Sequence, residues 1–259
     1  MNASSNEIRV SLKGGLDTLS RLLKVASYIR DLSTFLVDTK GMHYRSLNDS
    51  RTSLLEIEIP PESFSEFVVG SARKFTVSSP DILKRLSRGK KDDDIEIRLD
   101  AEGISLFLGT ERKRTYLLSV VEEDCWFSGE LKVNFTSKVV VDAKIFKEMC
   151  SDVSVESEEV TIASLEDVVE LSASSDTGRA VVQLKKTNNF VRRFEVSGEA
   201  KSCYKIEPLL KFLDLLQPRT VTLQYATDTP LVISCILPKN YCSVSMYQAP
   251  IRIGNEDAG

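Results

Sequence analysis

One histidine and one tryptophan occur among the 259 residues, and most constellations that enzymes build around such side chains are missing. A Cys–His or Ser–His nucleophile would have to use His43, set in the strand-like GMHYRSL. There is no nucleophile elbow, P-loop, Cys-x-x-Cys pair or His-Glu-x-x-His. No apolar run approaches the roughly 18–20 residues that cross a bilayer. The opening MNASSNEIRV has neither a basic start nor an apolar core, which predicts no signal peptide. Cysteine is sparse and scattered: Cys125, Cys150, Cys203, Cys235 and Cys242 read as free thiols. Asp92-Asp93-Asp94 is the densest run of carboxylates, but consecutive side chains converge poorly on one ion, so a solvated loop is expected there. The expectation is a protein without catalytic residues, cofactor or metal. An enzyme using His43 is the minority alternative.

What is present is a globular composition, 42% apolar and 28% charged, in a length that suits one large domain or two ordinary ones. The chain also repeats itself loosely. SSPDILKRLSRGKKDDDIEIRLDAEGISLFL starts at Ser78, and KIEPLLKFLDLLQPRTVTLQYATDTPLVISCIL starts at Lys205. Each places a proline near a helix start, Pro80 and Pro208, where the missing N–H has no intrahelical partner to lose. Ser79 is the expected cap of the first helix. Two alternating strands follow in each case. An earlier helix precedes each unit, Leu16 to about Ile29 and Asp142 to Cys150. Strand pairs lie between, with turns at Lys40-Gly41 and Glu166-Asp167. The pattern predicts an α+β fold in two similar halves, residues 1–118 and 136–259, joined by a linker over residues 119–135.

The four helices share a charge bias. At about 100° per residue, Leu16, Leu19, Leu22, Leu23, Ala26 and Ile29 form one face of the first, with its charges opposite. The outward charges of all four comprise eight bases, Arg21, Lys24, Lys84, Arg85, Arg88, Lys144, Lys147 and Lys211, against the acids Asp17, Glu148 and Asp214. The chain as a whole carries −4. A solvated face explains any one helix. The same bias on four predicts a positive surface for phosphates, blind to base sequence, since these faces lack the Asn, Gln and aromatic side chains that read or stack on bases.

In its order of elements the chain resembles the sliding clamps of DNA replication, the proliferating cell nuclear antigen family of archaea and eukaryotes. The resemblance rests on DTKGMHYRSLNDSRTSLLEIEIP, on the second repeated stretch with its Asp228–Leu231 turn, and on the ending YQAPI. It implies a DNA clamp fold, each half a helix pair backed by antiparallel sheet, with three subunits closing into a pseudo-sixfold ring around duplex DNA. The eight bases would then face the DNA. Partners (polymerase, clamp loader, nuclease and ligase) would dock through a short peptide motif. By position, that pocket would use Leu47, Thr52, Leu54, Leu131, Pro230, Tyr247, Ala249 and Pro250, with Ile251 and Ile253 extending its wall. The linker departs from the family's Leu-x-Ile-Pro and carries Trp126 and Phe127 instead. Subunits would join edge to edge through Thr115, Leu117 and Ser119 on one side and Ala180, Val182 and Leu184 on the other. Edge strands this apolar need covering. The ring could be a homotrimer or a heterotrimer. The place of action would be the cytoplasm, on the nucleoid, in an archaeon, or the nucleus in a eukaryote. A checkpoint-type clamp of the same fold is the alternative within the family.

Overall fold

The computed structural model describes residues 7–100, 103–238 and 241–251. It separates into two compact units, residues 1–128 with 236–244, and residues 129–235 with 245–259. The division at Ser128/Gly129 falls inside the stretch 119–135 that sequence sets apart.

The first unit runs β1 (Ile8–Leu12), α1 (Leu16–Ile29), β2 (Leu32–Asp38), β3 (Gly41–Leu47), β4 (Ser53–Ile59), a single 3-10 turn (Pro61–Ser63), β5 (Glu66–Val69), β6 (Arg73–Ser78), α2 (Ser79–Leu86), β7 (Ile95–Leu99), β8 (Ile104–Leu108) and β9 (Arg114–Leu118). Its strands form an antiparallel sheet in the order β5-β1-β7-β8-β9 and a second run, β4-β3-β2-β6. The leucine face of α1 is buried, with Leu22 and Leu23 at 2% exposure. It meets Phe35, Met42 and Phe75 from one sheet and Ile97, Ile104 and Leu106 from the other. α2 packs beside α1.

The second unit repeats the plan: β10 (Ser137–Asp142), α3 (Ala143–Val153), β11 (Glu159–Ser164), β12 (Val168–Ser174), β13 (Arg179–Lys185), β14 (Val191–Val196), β15 (Ala200–Lys205), α4 (Ile206–Leu216), β16 (Thr220–Tyr225), β17 (Leu231–Leu237) and β18 (Cys242–Gln248), save that the end of β17 and the start of β18 fall in the stretch 236–244 of the first unit. Its strands pair antiparallel as β14-β10-β16-β17 and as β13-β12-β11-β15. α3 and α4 pack on one another. This is the α+β architecture expected, with α1 and α2 answering to α3 and α4.

Helix starts show where local rules hold and where they are overridden. α3 has an N-cap: Asp142 accepts from the N–H groups of Lys144 and Ile145. For α2 the cap is Ser78, whose side chain accepts from the Asp81 N–H. Ser79, the expected cap, lies one residue inside, is fully buried and donates its hydroxyl to Ser33 at 2.7 Å.

α1 has no side-chain cap, since Gly15 precedes it. A distant loop supplies the acceptors instead. The carbonyls of Asp93 and Lys91 accept from Leu16 and Asp17, and the Asp94 carboxylate accepts from the Gly14 N–H at 2.6 Å. The loop is tied to itself as well, because Asp93 accepts from the Lys90 N–H at 2.9 Å and is 9% exposed. Within the aspartate run Asp93 is buried and Asp94 half-buried, and both staple the loop, so the solvated loop expected from sequence holds only for the exposed Asp92. The loop's acceptors offset orphan helix donors that would otherwise go unpaired.

Candidate nucleic-acid interface and docking surfaces

Lys24 on α1 and Lys84 on α2 are exposed, as is Arg88, which lies two residues past the end of α2 and not on its face as expected; Arg21 and Arg85 are half-buried. Arg21 pairs with Asp17 one turn back at 2.9 Å, and Arg85 donates to the Asp81 carbonyl. In the second unit Lys144 reaches Glu148 at 3.8 Å, and Lys147 is bonded to Asp214. Lys211 is exposed.

Three exposed acids enter the count beside those named from sequence: Asp81 in the first turn of α2, Glu207 in the first turn of α4, and Asp152 near the end of α3. The first two favour their helix N-termini electrostatically. The tally becomes five bases against two acids in the first unit and three against four in the second. The uniform bias expected from sequence is thus corrected. The positive face belongs to α1 and α2, while α3 and α4 are close to neutral.

Of the expected docking residues, the first unit carries three. Leu47 is half-buried at the end of β3, opposite Leu54 on β4. Leu54 itself is 1% exposed, and its neighbours Ser53 and Leu55 are buried too. It is a core residue here, which corrects its assignment to an open pocket wall. Thr52 is exposed in the turn after β3. Its hydroxyl and N–H both bond to the Asn48 side chain, at 3.1 and 2.9 Å, so it builds the turn.

In the second unit, β15 holds the two segments that carry Pro230, Ala249 and Pro250. The Tyr204 hydroxyl donates to the Thr229 carbonyl at 2.8 Å, holding the turn that contains Pro230. The Ile251 N–H donates to the Cys203 carbonyl at 2.8 Å, holding the segment Ala249–Ile251. Pro230, Tyr247, Ala249 and Pro250 are all half-buried, and Leu131 is 42% exposed. Sequence reasoning missed this role of β15, whose residues bond through main-chain carbonyl and hydroxyl groups that no side-chain pattern marks. Ile253 lies outside the described residues.

The segment 119–128 is strapped across the first unit. Cys125 N–H donates to the Thr34 hydroxyl, itself 2.7 Å from the Thr76 hydroxyl, and Thr76 in turn meets the Glu123 carbonyl. Ser46 donates to the Cys125 carbonyl at 3.0 Å. Arg45 receives Phe127 twice: its carbonyl accepts from the Phe127 N–H, and its guanidinium donates to the Phe127 carbonyl and stacks 5.0 Å from the ring. Lys74 lies 5.5 Å from the Trp126 ring and 3.0 Å from Asp124. The Trp126 N–H, with help from Lys74, holds the Asp124 carboxyl below the usual range. The unexpected aromatics are therefore anchors.

His43 Nε2 is 3.3 Å from Asp38 Oδ1, in a shallow cleft shared with Arg45, Glu56, Glu58 and Trp126. No serine or cysteine lines that cleft among the described residues. All five cysteines are buried and none is in a disulfide. Burial raises the thiols of Cys125 and Cys203 and pushes those of Cys150, Cys235 and Cys242 up to about 12, which suppresses the nucleophilic thiolate.

The expected interface residues fall on two free edges. β9 ends its sheet and β13 ends another. Thr115, Leu117 and Ser119 are exposed, Leu117 at 79%. Ala180, Val182 and Leu184 are on the core-facing side of β13, with Leu184 only 7% exposed; the outward set is Arg179, Val181, Gln183 and Lys185. The two sets named from sequence thus point to opposite faces, which corrects the β13 assignment by one residue of parity.

No protein-family profile matches the chain. Curated relatives do. It is 24% identical over 239 residues to a DNA polymerase sliding clamp of Cenarchaeum symbiosum, covering 91% of this chain and 95% of the relative. It is 27% identical over 237 residues to DNA polymerase sliding clamp 1 of Pyrobaculum aerophilum, covering 91% and 92%. Among solved structures, PCNA from Thermococcus kodakaraensis superposes with a TM-score of 0.88 at 19% identity, over 94% of this chain and all of that one. The PCNA2–PCNA3 complex of Sulfolobus tokodaii gives 0.84 at 23% identity, over 93% and 98%. The chain is therefore a homologue of the archaeal DNA polymerase sliding clamps and has the DNA clamp fold of the PCNA structures.

Proposed function

We propose that this chain is a subunit of a closed ring around duplex DNA, serving as a polymerase processivity factor and docking platform in replication and repair. The observation that carries the reading is the duplicated unit, a helix pair backed by antiparallel sheets, retained over the full reach of the match to clamp relatives. A ring separates retention from affinity. Phosphate contacts from Lys24, Lys84, Arg85 and Arg88 stay weak and salt-sensitive, and topology prevents escape. The three-subunit, pseudo-sixfold arrangement belongs to this proposal, as do the remaining DNA-facing bases, Arg21, Lys144, Lys147 and Lys211. The division of labour assigns residues 1–118 and 136–259 as clamp domains and 119–135 as their connection.

Partner enzymes (polymerase, clamp loader, nuclease, ligase) dock by a short peptide motif near Leu47, Leu131, Pro230, Tyr247, Ala249 and Pro250. The chain has no catalytic role of its own, and works on the nucleoid of an archaeal cytoplasm or in a eukaryotic nucleus. Retention tests the ring. After loading, the protein should stay on closed circular DNA and run off the same DNA once it is linearised. Equal retention on both forms would reduce it to an ordinary DNA-binding protein.

A further inference from the structure

Phe107 on β8 is the one aromatic among the described residues on the outward face of the sheet β5-β1-β7-β8-β9, a face ordinarily left to polar side chains. Pairing sets it in one row with Ser11 on β1, Glu96 on β7 and Thr115 on β9. The row floors a groove of about 510 Å³, a size that suits a small organic group. The Phe107 ring is half-buried, and the Arg98 guanidinium rests 4.5 Å from its centroid. A ring and a planar cation are thus already stacked at the groove's floor.

The charges there are unevenly occupied. Both acids are engaged: the Asp94 carboxylate accepts from the Gly14 N–H, and Glu96 is bonded to Arg98 and lies 3.8 Å from Arg9. Lys13, just past β1, and Lys113, just before β9, stand exposed at the same end of the groove. Neither pairs with a carboxylate among the described residues. Three strand spacings, about 14 Å, separate β1 from β9, so the two ammonium groups flank the aromatic floor and do not crowd one site.

Free cations beside an aromatic platform match a ligand that is anionic along its length and carries flat, uncovered rings. Duplex offers the phosphates but keeps its base faces stacked inside. An acidic peptide satisfies the lysines and leaves Phe107 without a particular partner. We propose that this groove binds an unpaired stretch of nucleic acid, with a base stacked on Phe107 and Arg98 and the flanking phosphates on Lys13 and Lys113. The helix faces have no such stacking residue, so this contact is separate from the one they make. Every residue of the groove belongs to the first unit, and the site needs neither a second chain nor a closed ring.

Photo-cross-linking on the full chain tests it. A deoxythymidine octamer carrying one iodouracil, irradiated with the protein at low salt, should join Phe107, as peptide mapping reads out. A uridine octamer with the same label shows whether a ribose strand is taken as well; a groove that captures neither overturns the proposal. Fluorescence anisotropy of the labelled octamer supplies the energetics. Phe107→Leu keeps an apolar side chain without the ring and should weaken binding on the order of tenfold. K13A/K113A should lower the salt slope by about 1.4, for two single-strand phosphates at about 0.7 each. A blunt duplex, or an acidic peptide of aspartate and glutamate, should displace little of the octamer. Cross-links confined to the helices overturn the proposal. So do a folded F107L that binds like wild type, an unchanged salt slope, and mole-for-mole displacement by the duplex or the peptide. Circular dichroism reports folding, and the cross-link map of the wild-type chain decides the matter where a variant does not fold.

Discussion

At the scale of single residues, Asp93 shows how much one carboxylate can organise. It accepts from the Lys90 N–H, lies 3.7 Å from Arg114 and shapes the loop whose carbonyls cap α1. Asp93→Ala leaves the Lys90 N–H without its acceptor in a nearly closed site, at a cost of about 1–3 kcal/mol; thermal unfolding should report it as a lowered Tm. Gly41 is similarly constrained. Its φ is +141°, and an added Cβ would lie 2.3 Å from the Ile59 carbonyl oxygen, so Gly41→Ala should also destabilise.

The buried thiols and phenols fix a response to alkali. Cys150, Cys235, Cys242, Tyr44 and Tyr225 are pushed up to about 12 by burial, from ordinary values near 9 and 10, so the fold favours their protonated forms. Their contribution is fully present below the ordinary values and is lost as pH climbs from there towards 12. Denaturant midpoints should hold steady below pH 9 and fall steeply above it. A flat profile to pH 11 would contradict that burial.

At the scale of elements, the first unit should carry most of the DNA contact. Replacing Lys24, Lys84 and Arg88 by Ala should lower the salt slope of binding by up to about three phosphate contacts, whereas replacing Lys144 and Lys211 should change it little. Equal slopes for the two sets would restore the uniform face read from sequence. The strap makes a separate prediction, and the single tryptophan reports on it. T34V/T76V removes the acceptor of the Cys125 N–H, so Trp126 emission should shift to the red and the segment 119–128 should become more open to proteolysis. The helices were legible in advance because a leucine period is a local signal: α1 begins at Leu16 and ends at Ile29 as read. The faces of β13 were not, because RAVVQLK has apolar residues at both parities, and the pairing with β12 decides which turn inward. Leu54 was misplaced because it shares the parity of Glu56 and Glu58, the outer side of β4, and yet is itself buried. The α1 cap lay beyond reach because its acceptors are more than seventy residues away in sequence, and the three extra acids sit at helix ends, where the apolar period that marks a face does not fix the boundary.

At the scale of the whole molecule, a net charge of −4 coexists with a basic patch confined to one helix pair. Surface-wide attraction to nucleic acid is excluded, and free diffusion onto DNA should be weak. Loading should therefore depend on opening a ring, and adding the chain to nicked circles without a loader should leave little of it bound after a salt wash. The same economy of contacts has a consequence in time. Nothing near α1 in sequence caps its first turn, and β1 pairs with β7 as well as with β5. During synthesis, at roughly 5–20 residues per second, the helix must wait on the order of 3–13 s after its own residues are made before Lys91 and Asp93 emerge to receive it. Through that interval only the Phe35, Met42 and Phe75 side of its leucine face can be covered, with Ile97, Ile104 and Leu106 still to come, so the nascent first half is the moment in the protein's life when a chaperone has most to hold.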